Sequence, residues 1–259
     1  GPQVNEQLAA KAHGAKYSHG IRICDLVVLD CGQGPPGQLR YELEAAFSQG
    51  LPNTPMAGAT VRIISGNFLT ARPVGIMDGV DFQHSGLVRK VDTAGITRTL
   101  DMGALVLLSP FGYSPTGEAF NLSMEEVATS VAIELQADKL IFMTEVPGIR
   151  IQPDEPASED NPIDTELPLA AAQALLKQLP PAQVPTDTGF YLQHCVKACK
   201  AGVERSHILP FKTDGARCWR IMGTAASAPW WSAESWQGCV KQTVTTVGGF
   251  RSRFGRLET

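Results

Sequence analysis

The stretch SPFGYSPTGEAFNLSMEEVATSVAIELQADKLIFMTEVPGI, residues 109–149, decides the fold. The apolar run Ala104 to Leu108 precedes it and has strand length. A Gly/Pro/Ser loop comes next, then a helix, then a second apolar strand, Leu140 to Met143. Ser123 and Glu126 have the S-x-x-E spacing of a capping box. Val127, Val131 and Leu135, with Ala128 and Ala132 beside them, keep a helical period behind it. Strand, helix and strand of these lengths predict a βαβ unit of a mostly parallel sheet. Asn121 and Glu125 stand at the helix start, where such folds place their ligands.

The chain has 259 residues, of which 43% are hydrophobic, enough to fill one large domain or two small ones. A net charge of -4 and a pI near 5.8 point away from a nucleic-acid partner. No apolar run approaches the roughly 18 residues of a membrane span, and no secretory n-region and h-region open the chain. Six cysteines without a CxxC pair fit a reduced, cytoplasmic setting. Cys195 and Cys199 lie one helical turn apart with His194 adjacent, yet zinc takes four ligands and no second pair is visible. Buried structural thiols are the expectation, and no metal.

Residues 3–12 read as a helix ended by Gly14. Tyr17 to Asp25 reads as a loop with one fixed cation, Arg22. The glycines and prolines of GQGPPG, residues 32–37, are expected to break any helix there, which resumes from Gln38 to Ser48. LPNTPMAG, residues 51–58, is a turn-rich connection. Val61 to Ile64 and Phe68 to Ala71 have hairpin spacing around Ser65-Gly66-Asn67. Residues 73–90 read as short strands and turns, and Val91 to Met102 as an amphipathic helix with Asp92 near its start. Residues 152–162 are acidic and Pro-rich, an exposed loop. Pro168 to Leu179 reads as a helix with Pro in its first turn. Tyr191 to Ala201 is a helix closed by Gly202, and Arg205 to Phe211 is one more strand. The chain opens on Gly1 and not Met, which reads as a fragment or a processed start.

Several long motifs in fixed order carry a family resemblance over residues 1–215. They are GPQVNEQLAA (1–10), GIRICD (20–25), NTPMAGATVRIISGNF (53–68), ARPVGIMDGVDFQHSG (71–86) and SPTGEAFNLSMEEVAT (114–129). ADKLIFMTEVPGI (137–149) and VKACKAGVERSHIL (196–209) complete the set. The sequence resembles the amino-acid kinase family, specifically the amino-acid-kinase-like domain of bacterial N-acetylglutamate synthases. The resemblance implies an α/β fold, a three-layer αβα sandwich with a mostly parallel central sheet, truncated at both ends. It also implies a place in arginine biosynthesis, where acetyl-CoA is the family's co-substrate and glutamate is acetylated. In that family the kinase-like domain binds L-arginine as feedback inhibitor, and a separate acetyltransferase domain, absent from this chain, does the chemistry. This chain by itself is then expected to have no catalytic residue and no bound cofactor. L-glutamate, N-acetylglutamate and L-arginine are the implied small-molecule partners, and the full-length protein is expected to be a homo-oligomer.

The resemblance also distributes roles. Arg22 matches the arginine that holds a substrate carboxylate, a task suited to a bidentate guanidinium. Asn121 matches a substrate-organising asparagine, and Glu125 stands where the family's kinases have an aspartate. Lys197 lies on the helix bordering the effector region. Lys139, Thr144, Glu145 and Gly148 resemble the nucleotide-side segment. Glu126 is better explained by the capping box than by catalysis. Acetylglutamate kinase shares the fold and is the alternative function. Its first phosphate lysine would lie upstream of Gly1, and its second near Tyr191 or Leu192. Phosphoryl transfer depends on such positioned cations, so a kinase is disfavoured. A third reading is a non-catalytic arginine-binding module.

From Arg217 the composition changes, and all four tryptophans lie within residues 219–236. Ala226 to Ser232 can be encoded by bases that give Ile-Gly-Thr-Met-Val-Val when read two nucleotides later. Residues 216–259 are therefore expected to be an aberrant tail translated out of frame, whose lost strands would leave sheet edges exposed.

Overall fold

A computed structural model describes residues 14, 16–48, 61–144, 167–179, 188–210 and 244–246. The expected helix at 3–12, the 51–58 connection, the acidic loop at 152–162 and nearly all of the tail lie outside these residues.

The chain first forms a hairpin of β1 (Tyr17–Ser18) and β2 (Ile21–Arg22), where a loop was expected. His19 and Gly20 both have positive φ, 53° and 74°, as a two-residue hairpin turn of the I′ kind requires. The turn sets Tyr17 opposite Arg22.

Helix α1 (Leu26–Ser48) runs unbroken through GQGPPG, contrary to the expected break. Asp25 caps it, its Oδ1 accepting from Val28 N at 2.9 Å. A proline inside a helix costs about 3 kcal/mol, so packing on both sides of the motif must exceed that. Val28 and Cys31 bury before the motif in a cluster with Cys24. After it, Leu39 buries against Leu105 and Leu107, with Leu43 and Phe47 alongside. Gly32 contributes too, since a Cβ there would stand 3.0 Å from the Phe111 ring.

Next come β3 (Ile63–Ile64), β4 (Leu69–Pro73), β5 (Ile76–Met77), β6 (Val80–Asp81) and β7 (Gly86–Val91). The expected hairpin around Ser65-Gly66-Asn67 does not form. Instead β4 pairs antiparallel with β7, and β3 joins a different sheet. Spacing alone cannot tell a hairpin from two strands that part company. β5 and β6 do form a hairpin, over the positive-φ pair Asp78-Gly79.

Val91 ends β7, so α2 (Thr93–Asp101) starts two residues later than expected, with Asp92 as N-cap accepting from Gly95 N. It is followed by β8 (Leu105–Leu108), all four residues buried. The expected Gly/Pro/Ser loop holds a further hairpin, β9 (Phe111–Tyr113) with β10 (Ala119–Asn121), which extends the β4–β7 sheet. Helix α3 (Met124–Glu134), strand β11 (Lys139–Thr144), helices α4 (Leu169–Gln178) and α5 (Thr188–Lys200), and strands β12 (Arg205–Pro210) and β13 (Val244–Thr246) follow. Pro168 sits at the N-cap of α4, one place before its first turn, and α5 begins three residues before Tyr191.

Strand β8 runs parallel to β3 and β13, and β11 runs parallel to β12. The predicted β8–α3–β11 unit is thus a mixed α/β arrangement of parallel pairs in which β8 pairs with β3 and β13, and β11 with β12. The tail does not leave β8 bare, because β13 pairs along it. The main core joins Leu69, Ala71 and Val91 to Ile96 of α2, Val106 and Leu108 of β8, and Val127 and Val131 of α3. Each such buried aliphatic side chain contributes about 1.5–3 kcal/mol. Between the core and solvent lies the edge where β2, the turn before β7, and the end of β10 converge.

Candidate functional site

At that edge three segments meet. His84 N donates to Cys24 O at 2.9 Å, and Asn121 N donates to His84 O at 2.9 Å. Cys24 bridges Gln83, and Ser85 bridges Asn121. Ser85, 1% exposed, accepts from Cys24 N at 3.0 Å through its Oγ, and that hydroxyl donates to Arg22 O. Arg22 and Asn121, 99 positions apart in the chain, are thereby held in one small framework.

The Arg22 guanidinium lies over the Tyr17 ring, 4.9 Å from its centroid, and Nη2 donates to the Tyr17 hydroxyl. A hairpin turn thus delivers both residues to the same place. Cys24 is wholly buried, and burial pushes its thiol up to about 11. The charge of Arg22 and hydrogen bonding with Ser85 and Asn121 pull the other way. An inert thiol therefore sits between the Asn121 amide and the Ser85 hydroxyl. The partly buried pair combines a guanidinium, the group that suits a carboxylate, with an amide that has both donor and acceptor.

Glu125 belongs to a different environment. It is 7% exposed in the first turn of α3, and its Oε2 accepts from Ser123 Oγ at 2.7 Å. Burial raises its pKa, with the Ser123 hydrogen bond opposing, and Arg22 is not among the groups acting on it. The capping box is half made: Ser123 Oγ accepts from Glu126 N at 3.4 Å, while the Glu126 carboxylate accepts from Val88 N at 3.3 Å. Glu126 is also raised by burial, against that hydrogen bond and the charges of Lys197 and Arg72. Lys197, exposed on α5, faces this end of α3 and acts on Glu126 and His194. Of the four predicted ligand-binding residues, Arg22 and Asn121 come together, while Glu125 and Lys197 belong to the α3–α5 contact.

Lys139 and Thr144 occupy opposite ends of β11, about 16 Å apart at 3.3 Å per residue. Thr144 is buried at the C-terminal end, beside Pro210, where parallel sheets hold ligands. Lys139 pairs with Arg205 at the other end, so the two are not assembled into one site. Glu145 and Gly148 lie outside the described residues. Among the described residues no three His, Cys, Asp or Glu side chains gather as a metal site. Cys195 packs with Leu140, Phe142 and Ala198, Cys199 Sγ lies 3.3 Å from Ser206 Oγ, and His194 turns to Thr129.

Tyr17, Cys24 and Ser85 carry the site and were not singled out from the sequence. A hairpin reading of YSHGIR would have placed Tyr17 opposite Arg22. Ser85 had no comparable local signal.

Residues 40–210 match the model of the amino acid kinase family. The chain is 51% identical over 215 residues to an amino-acid acetyltransferase of Ralstonia nicotianae, covering 83% of this chain and 46% of that protein. It superposes on N-acetylglutamate synthase from Neisseria gonorrhoeae complexed with coenzyme A and L-arginine with a TM-score of 0.73. That match has 33% identity and covers 83% of this chain and 48% of the other. The same enzyme complexed with coenzyme A and N-acetyl-glutamate gives 0.71 at 34% identity, over 83% of this chain and 46% of the other. The chain thus spans about half the length of the relatives it matches. Among the described residues no helix is long and apolar enough to cross a membrane.

Proposed function

This chain belongs to the amino acid kinase family, and on that premise we propose that it is the amino-acid-kinase-like domain of an N-acetylglutamate synthase. Its part is to bind a small amino-acid ligand at Arg22 and Asn121, and acetyl transfer belongs to the whole protein. The observation that carries this reading is the convergence of Arg22 and Asn121 on the Ser85 framework. A guanidinium grips a carboxylate through two parallel N–H bonds, and an adjacent amide can meet an acyl C=O or an α-amino group. L-arginine and N-acetylglutamate both carry the required groups. In the whole protein, the amine of L-glutamate attacks the acetyl-CoA thioester. An N–C bond forms, the C–S bond breaks, and coenzyme A leaves as its thiol. We place the protein in the cytoplasm, as a homo-oligomer, without nucleic-acid or membrane partners.

The acetylglutamate kinase alternative is weaker. Tyr191 and Leu192, near which a phosphate lysine is expected, are not cationic. Leu192 is 3% exposed within an apolar cluster, and Tyr191 packs against Phe142 at 5.6 Å between ring centroids. In this reading Glu125 and Lys197 are effector contacts at the α3–α5 end, and Thr144 keeps only its nucleotide-side resemblance at the β11 terminus.

Calorimetric titration of the 259-residue chain with N-acetylglutamate, L-glutamate and L-arginine tests the reading. The expected result is saturable heat with at least one of them, lost in R22A and weakened in N121A. Binding indifferent to both substitutions, or ATP-dependent phosphorylation of N-acetylglutamate, overturns it.

A further inference from the structure

We propose that Ser85 is a positioning residue for this ligand site: its hydroxyl holds the Arg22 backbone at the working distance from Asn121. The proposal rests on the binding site argued above.

Ser85 cannot touch a ligand itself, being 1% exposed. Its hydroxyl is used twice over, donating to Arg22 O and accepting from Cys24 N. A hydroxyl can do both because it carries one donor and two acceptor lone pairs. One partner is the carbonyl of Arg22 itself, whose guanidinium does the binding, and the other is the amide two residues on. The bridge from Ser85 to Asn121 ties the other half of the site to the same residue.

The β1–β2 hairpin has only two residues in each strand, a ladder too short to be stable by itself. It needs anchors, and three bonds join its exit to the 83–85 segment: the two of the Ser85 hydroxyl and the bond from His84 N to Cys24 O. Remove the hydroxyl and the Cys24 N–H, at a wholly buried residue, loses its acceptor. The hairpin relieves that by shifting, and the guanidinium shifts with it. A bidentate clamp depends steeply on geometry, so displacement appears as lost affinity.

The test is calorimetry with N-acetylglutamate and L-arginine on wild type, S85A, S85T, R22K and S85A/R22K. S85A is expected to bind about tenfold more weakly, as for one hydrogen bond net of water. S85T keeps the hydroxyl and is expected to stay within about threefold of wild type. The double variant is expected to bind no more weakly than R22K, because the clamp that Ser85 positions is already broken. A residue that only stabilises the fold would give independent, multiplying losses and no coupling to Arg22. Unchanged affinity in S85A, or multiplying losses in the double variant, overturns the proposal while leaving the site intact. No binding by wild type overturns the site and this role together. Should S85A fail to fold, S85C, with a weaker hydrogen-bonding group of similar shape, carries the same comparison.

Discussion

Thr129 Oγ1 lies 3.1 Å from His194 Nδ1, joining α3 to α5 inside the molecule. The Thr129 hydroxyl also lies 2.6 Å from Glu125 O and donates its proton there. His194 Nδ1 must therefore be the donor to Thr129, which assigns the neutral ring its Nδ1–H tautomer. Phe190, at 4.8 Å between ring centroids, and Phe142, at 6.3 Å, wall the imidazole in.

Burial, reinforced by the charge of Lys197, lowers the His194 pKa from 6.5 to about 4. The native state therefore resists protonation that the unfolded chain accepts. The stability this group permits is whole above pH 6.5 and is lost as pH falls towards 4. The loss amounts to about 3 kcal/mol at its limit and about 2 kcal/mol at pH 5. Urea melts of wild type and H194Q at pH 7.5 and 5 check this: the wild-type loss should be about 2 kcal/mol larger than the variant's.

Glu125 works in the opposite direction. Its raised pKa means that the folded state favours the proton, so this group lowers stability as pH rises above 4.5. Glu125→Gln removes the charge and keeps an oxygen to accept from Ser123. The variant should melt above wild type at pH 8, and the gap should close as pH falls. A lower melting temperature at pH 8 would falsify the assignment.

Tyr17→Phe deletes the hydroxyl that accepts from Arg22 and leaves the ring beneath the guanidinium. Ligand affinity should fall about threefold to tenfold. Tyr17→Ala, which removes the ring as well, should cost more. Calorimetry with the ligand that wild type binds gives both numbers.

Gly86 has no room for a side chain. An added Cβ would stand 2.6 Å from the Cβ of Phe120 and 3.2 Å from the carbonyl of Arg72. Gly86→Ala should destabilise by about 1–3 kcal/mol through overpacking between β7 and β10. Equal urea midpoints for variant and wild type would show that the two strands are further apart than this.

Pro35 and Pro36 lie inside α1, where neither can supply a backbone donor. Pro36→Ala should raise stability by up to about 3 kcal/mol and increase helical ellipticity. A fall in either quantity would mean that the helix does not run through GQGPPG.

What the chain determined by itself were features whose causes lie within a few residues. Ser123 and Asp92 cap their helices because a short polar side chain reaches a backbone N–H three places on. Leu105–Leu108 is a strand, and Leu140–Met143 the centre of another, because apolar runs of that length bury in a parallel sheet. Arg22 and Asn121 stood out through the motifs around them. Tertiary structure alone decided the rest. It carried α1 across two prolines, because burial at both ends outweighs a local defect. It separated β3 from β4, because the better partners of each lay elsewhere. It also brought Ser85 to Arg22 and Cys24, 63 and 61 residues away, since hydrogen bonds that span such distances leave no periodic trace in the chain.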